Sequence, residues 1–353
     1  MDKILTIVIP TYNRREQLLR LLMSIEKQNC IDLYTIVISD NCSNYSIEDT
    51  ISAKFDIKFT SNIIVIHRPF NAGGDYNIGS LFTLCSKGLM WTIGDDDELL
   101  DGSINKVVNN YINNPKIAFF KYSMQEACAP ETNILLSSTD DLMACYKKHY
   151  FVAGDLIFLS NNVYNVDLIK DFFSDCLYYC YCSAPHILPM MHCLIASEKD
   201  VMLCKEVVVK YNAPEGDHWN FIKIVTSLST VLDINWGNQY KDIKRIFGIL
   251  SAHFGIGQFL QDCMEIEDKS YKKYIYWKGM NTVFDRPKNP QDYFAIQMYK
   301  LETFTHIKFL SGFYHTLYKK QNEIKTRLKE KAKSDPKTAR HVAWMKKYMP
   351  KLK

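Results

Sequence analysis

The sequence lacks any long uninterrupted apolar segment, although 47% of its 353 residues are hydrophobic. No stretch of about 18 apolar residues occurs, so we expect no membrane-spanning helix. The first apolar run, Ile4–Ile9, ends at Pro10 and is too short for a secretory signal. Glycine and proline are scarce, at 14 and 11 residues. This composition excludes a collagen-like, low-complexity or disordered chain.

The eleven cysteines lack the paired C-x2-C spacing of most structural zinc sites. The densest group mixes cysteine with histidine: Cys176, Cys180, Cys182, His186, His192 and Cys193. Without a signal sequence we expect a reducing cytosol, where scattered cysteines pack as small hydrophobic side chains. We therefore predict neither disulfides nor a zinc site.

Charge is distributed unevenly along the chain. Residues 319–353 contain 13 basic and 3 acidic side chains, whereas the preceding chain has a small excess of acidic ones. A basic tail of this kind indicates an anionic partner. Aromatic and basic residues interleave at 271–278 and 309–320, which favours an anionic membrane surface. A solvated helical face is the alternative, and nucleic acid is disfavoured because no nucleic-acid-binding motif accompanies the charge.

Strand-like and helix-like patterns alternate through the first third of the chain. The strand-like runs are short and apolar: Ile4–Pro10, Tyr34–Ser39, Ile63–Ile66, Met90–Ile93 and Ile117–Tyr122. Helical periodicity fills the intervals, and Asn13 is predicted to cap the first helix. This order predicts an α/β fold with a parallel sheet covered by helices on both faces.

The pattern changes after Tyr211. Long stretches of helical periodicity, rich in tyrosine, phenylalanine and lysine, replace the short apolar runs, and Asn212–Gly216 is the best candidate for a linker. We therefore predict a catalytic α/β domain over residues 1–212 and a helical region with the basic tail over residues 213–353.

Polar residues follow several of the predicted strands. Thr11 and Asn13 follow the first strand, Asp40 and Asn41 the second, and the carboxylates Asp95–Asp97 the fourth. Ligands of open α/β sheets bind beyond the carboxyl ends of strands, so these side chains should meet in one cleft. Adjacent carboxylates repel one another unless a cation is present, and Mg²⁺ or Mn²⁺ prefers oxygen ligands shared with substrate phosphates. A solvated acidic turn is the alternative.

Four segments, in their order and spacing, carry a resemblance to a known family. They are Ile7–Arg14 (IVIPTYNR), Ile36–Ser43 (IVISDNCS), Asn71–Gly74 (NAGG) and Trp91–Asp97 (WTIGDDD). Over about residues 3–125 the sequence resembles the family 2 glycosyltransferases. Its detail is similar to bacterial O-antigen and capsule transferases of the abequosyltransferase-like kind. The resemblance implies the GT-A fold, a Rossmann-like, mixed and mainly parallel sheet flanked by helices.

The resemblance also implies roles for individual residues. Pro10–Asn13 would line a nucleobase pocket, and Asp40 would accept a hydrogen bond from the base, with a turn cap as its alternative role. Asp95–Asp97 match the family's D-x-D element, in which Asp96 would contact the ribose. Asp97 would bind a Mn²⁺ or Mg²⁺ ion that bridges the diphosphate. The implied donor-binding residues are Pro10, Thr11, Tyr12, Asn13, Arg14, Asp40, Asn71, Gly74, Asp75, Asp95 and Asp96.

No motif identifies a general base. The family places a Glu-Asp pair downstream of the D-x-D element, but residues 178–194 contain none, and His186 stands there instead. A neutral histidine accepts a proton from a sugar hydroxyl near pH 7, so His186 is predicted as the base. A packed histidine is the alternative, and Asp155 and Asp217 are competing candidates. Asp217 and His218 are also expected near the metal, with His218 as a ligand.

Together these features predict a metal-dependent glycosyltransferase. It would move one sugar from a nucleotide-sugar donor to a hydroxyl of a lipid-linked or growing bacterial surface glycan, with inversion implied by the family. The rivals are a nucleotidyltransferase, although Pro10–Arg15 is not a glycine-rich phosphate loop, and a non-catalytic binding module. We expect a cytoplasmic protein attached through residues 319–353 to the inner face of the bacterial inner membrane, without a nucleic-acid partner. No pattern predicts an oligomeric state.

Overall fold

The computed structural model describes residues 3–197, 199–212, 221–254 and 265–284, with single positions at 259, 262, 263, 297 and 327. The chain divides into Met1–His253 and Phe254–Lys353, and each unit is described by itself. Asp217 and His218 lie outside the described residues, as does the basic tail apart from position 327. The domain division predicted after residue 212 stays a prediction.

A mixed eight-stranded sheet forms the centre of the first unit. The strands in chain order are β1 (Leu5–Thr11), β2 (Tyr34–Asp40), β3 (Ile63–His67), β4 (Leu89–Thr92), β5 (Glu98–Leu99), β6 (Phe119–Lys121), β7 (Ile134–Leu136), β8 (Asn162–Asn165), β9 (Val201–Leu203) and β10 (Val209–Lys210). Their spatial order is β3-β2-β1-β4-β8-β6-β9-β7, and β5 pairs separately with β10.

The first four strands of the sheet run parallel, and the direction changes at β8. β1 pairs in parallel with β2 and β4, and β2 with β3. β8 runs antiparallel to both β4 and β6, whereas β6 and β9 are parallel. The predicted α/β fold with a mixed, mainly parallel sheet is therefore confirmed.

Helices connect and cover the strands. The described helices are α1 (Arg15–Glu26), α2 (Ile47–Ser52), α3 (Ile57–Thr60), α4 (Gly74–Ser80), α5 (Ser103–Asn113), α6 (Thr139–Lys147), α7 (Val166–Ile169), α8 (Phe173–Tyr178), α9 (Leu188–Ile195), α10 (Phe221–Leu228), α11 (Tyr240–Phe254) and α12 (Lys269–Asn281). Among them, none has the length and apolar character that crossing a membrane requires.

Strand β1 shows why the apolar runs of the sequence are continuous. Leu5, Ile7 and Ile9 are fully buried and belong to one core cluster with Leu18 of α1. Val8, which strand alternation places on the opposite face, is also fully buried. A strand buried on both faces needs apolar residues at successive positions, so it gives no alternating pattern.

Asn13 does not cap the first helix, contrary to the prediction. Arg14 occupies the N-cap position of α1 and makes no side-chain cap. Asn13 adopts a left-handed φ of 53°, and its Oδ1 accepts the backbone N–H of Asn44 at 2.8 Å. Its own N–H donates to Oγ of Ser43 at 2.9 Å. Because asparagine tolerates the left-handed region, Asn13 can join the loop after β1 to the loop after β2.

In the second unit, α12 has one buried and one exposed face. Ile275 is buried, whereas Tyr271, Tyr274 and Trp277 are exposed. The Asp268 side chain caps the helix by accepting the N–H of Tyr271 at 2.6 Å. The aromatic residues of the interleaved segment at 271–278 therefore include three on the exposed face.

Candidate active site

A cavity of about 810 Å³ lies at the carboxyl edge of β1, β2 and β4. Its first half consists of segments that follow β1, β2 and β3, and its second half consists of residues between 124 and 211. The carboxylates Asp95–Asp97 lie in the segment that follows β4, between the two halves. The sequence-predicted residues that line the cavity are Pro10, Thr11, Tyr12, Arg14, Asn41, Asn71, Gly74, Asp95, Asp96, Asp97 and His186.

Arg14 is paired with two of the three carboxylates. Its Nη1 lies 3.1 Å from Oδ1 of Asp95 and 3.0 Å from Oδ2 of Asp96. Thr11 donates its hydroxyl to the other oxygen of Asp95 at 2.8 Å. Burial raises the pKa of Asp95 to about 6, against the opposing effect of Arg14. Arg14, in the loop after β1, therefore holds the loop after β4 in its orientation.

Asp97, the third carboxylate, is buried and hydrogen-bonded to two neutral groups. It is 2% exposed, its Oδ2 accepts the Ser160 hydroxyl at 2.5 Å, and its Oδ1 accepts the backbone N–H of Asn212 at 3.3 Å. Within the described residues, no cationic side chain pairs with it. Burial raises the pKa of Asp97 to about 7, and the charges of Asp96 and Asp95 act in the same direction, against the hydrogen bonds from Ser160 and Asn212.

The chemistry of this donor set fits a hard divalent cation. Magnesium is typically held by one or two carboxylates, with water and substrate phosphates completing the coordination. Asp97 is a buried carboxylate whose charge a cation would compensate, and it faces the same cavity as Asp96. The described part of the chain contains no cluster of three or more histidine, cysteine or acidic side chains positioned to hold a metal. The residues therefore fit a metal shared with a phosphate ligand and not a closed protein cage.

Asp40 lies behind the cavity wall. Its Oδ1 accepts the backbone N–H of Ser43 at 2.9 Å, and its Oδ2 lies 2.9 Å from Nδ1 of His67. The other ring nitrogen of His67 lies 2.7 Å from Oε1 of Glu48. Imidazole donates to two carboxylates only as the imidazolium, and the hydrogen bonds to Glu48 and Asp40 raise the pKa of His67. The turn-capping role of Asp40 is present, and its contact with a nucleobase stays a prediction.

Asn41, adjacent to Asp40, is the residue of this motif that faces the cavity. Its Nδ2 donates to Oδ1 of Asn71 at 2.8 Å, and its Oδ1 accepts the backbone N–H of Ala72 at 3.0 Å. Tyr12 lines the same half of the cavity and is 40% exposed. These contacts join the loops after β1, β2 and β3 into one wall with an aromatic ring and amide groups.

Besides Asp40, the predicted residues Asn13, Asp75 and Asp155 do not line the cavity. Asp75 pairs with Lys223 of α10 at 2.8 Å. Asp155 is buried, and its two oxygens accept the backbone N–H groups of Met124 and Val152 at 2.9 and 2.8 Å. Both carboxylates therefore hold other segments of the chain in position, and their predicted roles toward a ligand stay predictions.

His186 lines the cavity but is only 3% exposed. Its Nε2 lies 2.8 Å from the carbonyl oxygen of Ile157, so Nε2 carries the proton and Nδ1 the lone pair. Nδ1 is buried without a hydrogen-bond partner among the described residues. Burial lowers the pKa of His186 to about 3. The imidazole is therefore neutral at pH 7 and weakly basic, and its role as general base stays a prediction.

Sequence reasoning missed most of the second half of the cavity. The lining residues that were not predicted are Gly73, Asn77, Ile78 and Gly94 in or beside the first half, and Met124, Gly154, Ile157, Phe158, Leu159, Ser160, Ser183 and Tyr211 in the second. The first group lies inside or next to the motifs, which was a usable signal. The second group comes from segments without a local motif, so only the fold brings it together.

The mixed sheet, with a ligand cavity at its carboxyl edge and three carboxylates after β4, has the architecture of the GT-A glycosyltransferases. By structure, the chain is similar to S. aureus TarS residues 1–349 in complex with UDP-GlcNAc, with a TM-score of 0.54 and 14% identity over 86% of this chain and 92% of that one. A second crystal structure of TarS 1–349 gives a TM-score of 0.51.

The sequence comparisons indicate one family of glycosyltransferases to which part of the chain is similar. Residues 6–132 match the model of Glycosyl transferase family 2. The chain is 34% identical over 102 residues to the abequosyltransferase RfbV of Salmonella typhimurium. The aligned residues make up 29% of this chain and 30% of the length of that relative. Residues 6–132 therefore resemble a family 2 glycosyltransferase domain, and the first unit has the GT-A fold. The predicted resemblance and the predicted fold are both confirmed.

Proposed function

We propose that this protein transfers one sugar from a nucleotide-sugar donor to a hydroxyl group of a bacterial surface glycan, with inversion and with Mn²⁺ or Mg²⁺. One observation carries the proposal: Asp95–Asp97 lie in a single cavity between the β1–β3 loops and a second, largely uncharged half. The UDP-GlcNAc complex of TarS supports a nucleotide-sugar donor. The likeness to an abequosyltransferase supports a hexose or deoxyhexose as the sugar and an O-antigen-type glycan as the product.

In this proposal the first half of the cavity binds the nucleoside. Tyr12 offers a ring to the base, and Asn41 and Asn71 offer amide groups. Asp96, which lies beside Arg14, binds the ribose, and Asp97 holds the metal. The metal, when bound, stabilises the negative charge that develops on the diphosphate leaving group.

The second half receives the sugar and the acceptor. An acceptor hydroxyl deprotonated by a general base displaces the diphosphate in one step, which gives inversion. Asp155 uses both oxygens on backbone N–H groups, and burial makes His186 a weak base. We therefore rank Asp217 first for the base, since it follows Asn212, a partner of Asp97, by only five residues in the sequence.

A donor-hydrolysis panel tests the proposal. The protein is incubated with UDP-, GDP-, CDP- and dTDP-sugars, with Mn²⁺ or with EDTA, and released nucleoside diphosphate is measured. We expect hydrolysis of one donor class with metal only. Release of pyrophosphate from a nucleoside triphosphate would instead support a nucleotidyltransferase. Binding of a nucleotide sugar without any turnover would support the non-catalytic module.

The basic tail extends the proposal to location. Residues 319–353 would attach the enzyme to an anionic membrane surface, where a lipid-linked acceptor is presented. The reaction would then take place on the cytoplasmic face of the bacterial inner membrane.

A further inference from the structure

The second half of the cavity contains two aromatic side chains in contact with each other. The ring centroids of Tyr211 and Phe158 lie 5.5 Å apart with an interplanar angle of 85°. Both residues line the cavity, and Tyr211 is 47% exposed. An exposed tyrosine fixed by an edge-to-face neighbour presents a rigid apolar face.

The backbone around Tyr211 is held on both sides. Before it, Lys210 in β10 pairs with Glu98 in β5, both in the strand register and by an ion pair of 3.0 Å. After it, Asn212 donates its N–H to Asp97 and its Nδ2 to the carbonyl oxygen of Asp96 at 2.9 Å. Tyr211 is therefore positioned directly beside the carboxylates by contacts to the same loop.

Phe158 is held in position by backbone contacts of its own. Its carbonyl oxygen accepts Nδ2 of Asn162 at 2.8 Å, and its N–H donates to the carbonyl oxygen of Gly154 at 3.1 Å. The neighbouring Ser160 hydroxyl binds Asp97. Both rings thus belong to segments that contact Asp97: the segment of Tyr211 through Asn212, and the segment of Phe158 through Ser160.

The lining of this half is neutral as well as aromatic. Apart from Asp97 at its boundary, the described lining residues from 124 to 211 carry no charged side chain, since His186 is neutral at pH 7. Carbohydrate C–H faces pack on exposed aromatic rings, whereas carboxylated or phosphorylated sugars need cationic partners. The lining therefore suits an uncharged pyranose.

We propose that Tyr211, supported by Phe158, is the stacking platform for a neutral pyranose of the acceptor. This inference rests on the proposed glycosyltransferase function. Tyr211 is assigned to the acceptor because its side chain is half exposed, whereas Ser160 and His186 in the same half of the cavity are buried. A donor sugar attached to a diphosphate at Asp97 would lie nearer to Ser160, which is buried and donates its hydroxyl to Asp97.

Steady-state kinetics of Tyr211 variants test this assignment. The donor is the nucleotide sugar hydrolysed by the wild type, and the acceptors are octyl glucoside, galactoside, mannoside and rhamnoside, with octyl glucuronide as the charged comparison. We expect Tyr211→Ala to raise the acceptor KM about tenfold or more and to leave the donor KM in the hydrolysis assay within twofold. Tyr211→Phe should keep the wild-type acceptor KM, because the ring face is retained.

Tyr178→Ala is the matched control, because Tyr178 is 78% exposed and does not line the cavity. Saturation-transfer NMR with the same pyranosides provides a readout that needs no turnover. We expect the C–H protons of one ring face to lose saturation in Tyr211→Ala but not in Tyr178→Ala.

The outcomes separate the two proposals. Donor hydrolysis with an unchanged acceptor KM and unchanged saturation in Tyr211→Ala overturns the platform but leaves the glycosyltransferase proposal in place. A donor KM that rises as much as the acceptor KM overturns the assignment to the acceptor. If the wild type hydrolyses and binds no nucleotide sugar, the proposed function fails and this inference fails with it.

Discussion

Asp97 is a buried carboxylate held by one hydroxyl and one backbone N–H. Asp97→Asn keeps its size and removes its charge. We expect transfer to fall by at least about 10²-fold, the loss typical of removing one electrostatic contact to a developing negative charge. The melting temperature in EDTA should stay the same or rise, because the variant no longer buries a charge. Activity assays and thermal unfolding check this, with the exposed Asp101→Asn as control.

The general base is tested by comparing three variants, Asp217→Asn, His186→Gln and Asp155→Asn. General base catalysis contributes about 10²–10⁴-fold, so we expect kcat to fall by that order in Asp217→Asn with a nearly unchanged donor KM. His186→Gln should retain more than a tenth of the wild-type kcat. Asp155→Asn should lower the melting temperature, because Asp155 binds two backbone N–H groups.

A different set of kcat values in these variants would support His186 as the general base. Its lowered pKa of about 3 means that a His186 base would already be neutral in mildly acidic solution. The pH profile of kcat would then lack an acidic limb from this residue near neutral pH. A loss above about 10²-fold in folded His186→Gln, without effect in Asp217→Asn, would contradict our ranking.

At the scale of secondary-structure elements, His67 ties the ends of β2 and β3 to α2. Its imidazolium lies between Asp40 and Glu48, and these hydrogen bonds raise its pKa. A raised folded-state pKa stabilises the fold fully below the unfolded pKa of about 6.5, and the contribution is lost as pH rises through the folded value. We expect His67→Ala to lower the melting temperature most in mildly acidic buffer and least in alkaline buffer.

His149→Asn is the matched control for His67, since His149 is exposed and has a left-handed φ of 60° that asparagine tolerates. Its effect on melting should not follow the same pH dependence. A His67→Ala deficit that is constant across pH would contradict the imidazolium bridge. A raised donor KM in the same variant would show that the loop after β2 depends on it.

The buried side chain of Lys121 supports the loop at residues 158–160, which lines the cavity and is called the floor loop here. Lys121 in β6 donates to Oδ1 of Asn161 at 2.7 Å and of Asn162 at 2.6 Å. Asn162 in turn donates to the carbonyl oxygens of Phe158 and Leu159 at 2.8 and 2.9 Å. Burial lowers the pKa of Lys121 to about 7, since the groups it contacts directly are neutral oxygens.

Lys121→Met should destabilise the protein by about 1–3 kcal/mol, because it leaves buried amide oxygens without a donor. The exposed Lys116→Met, just before the same strand, is the control and should be neutral. Urea unfolding measures both. Equal stability of the two variants would mean that Lys121 is not required to hold the floor loop.

These elements show how much the sequence could predict. The β1–β4 strands and the carboxylates after β4 follow from local patterns, because each apolar run ends at its own polar residues. The prediction that Asn13 caps α1 was wrong, because asparagine is favoured both at left-handed loop positions and at helix N-caps. Lys121 and Tyr211 gave no local signal, because their importance arises from contacts with segments distant in sequence.

At the scale of the whole molecule, the basic tail should decide where the protein is located. Removing residues 319–353 should release the protein from anionic vesicles, since each basic residue near such a surface contributes about 1 kcal/mol. Activity on a short soluble acceptor should be retained. Vesicle sedimentation with anionic and neutral lipids, each at low and high salt, measures the effect. Equal sedimentation of the full-length and shortened proteins with anionic vesicles would refute membrane attachment through the tail.

The contacts of Asn212 also impose an order on biosynthesis. Asn212 binds Asp97 across 115 residues of chain, and β10 pairs with β5 across a similar separation. A nascent chain leaves the ribosome from its N-terminus, so the loops after β1 to β4 are available long before Asn212 is. A ribosome-bound chain that ends before Val209 has neither the β10 pairing nor the Asn212 contact. The carboxylate centre is therefore completed only after the whole segment to residue 212 has been translated.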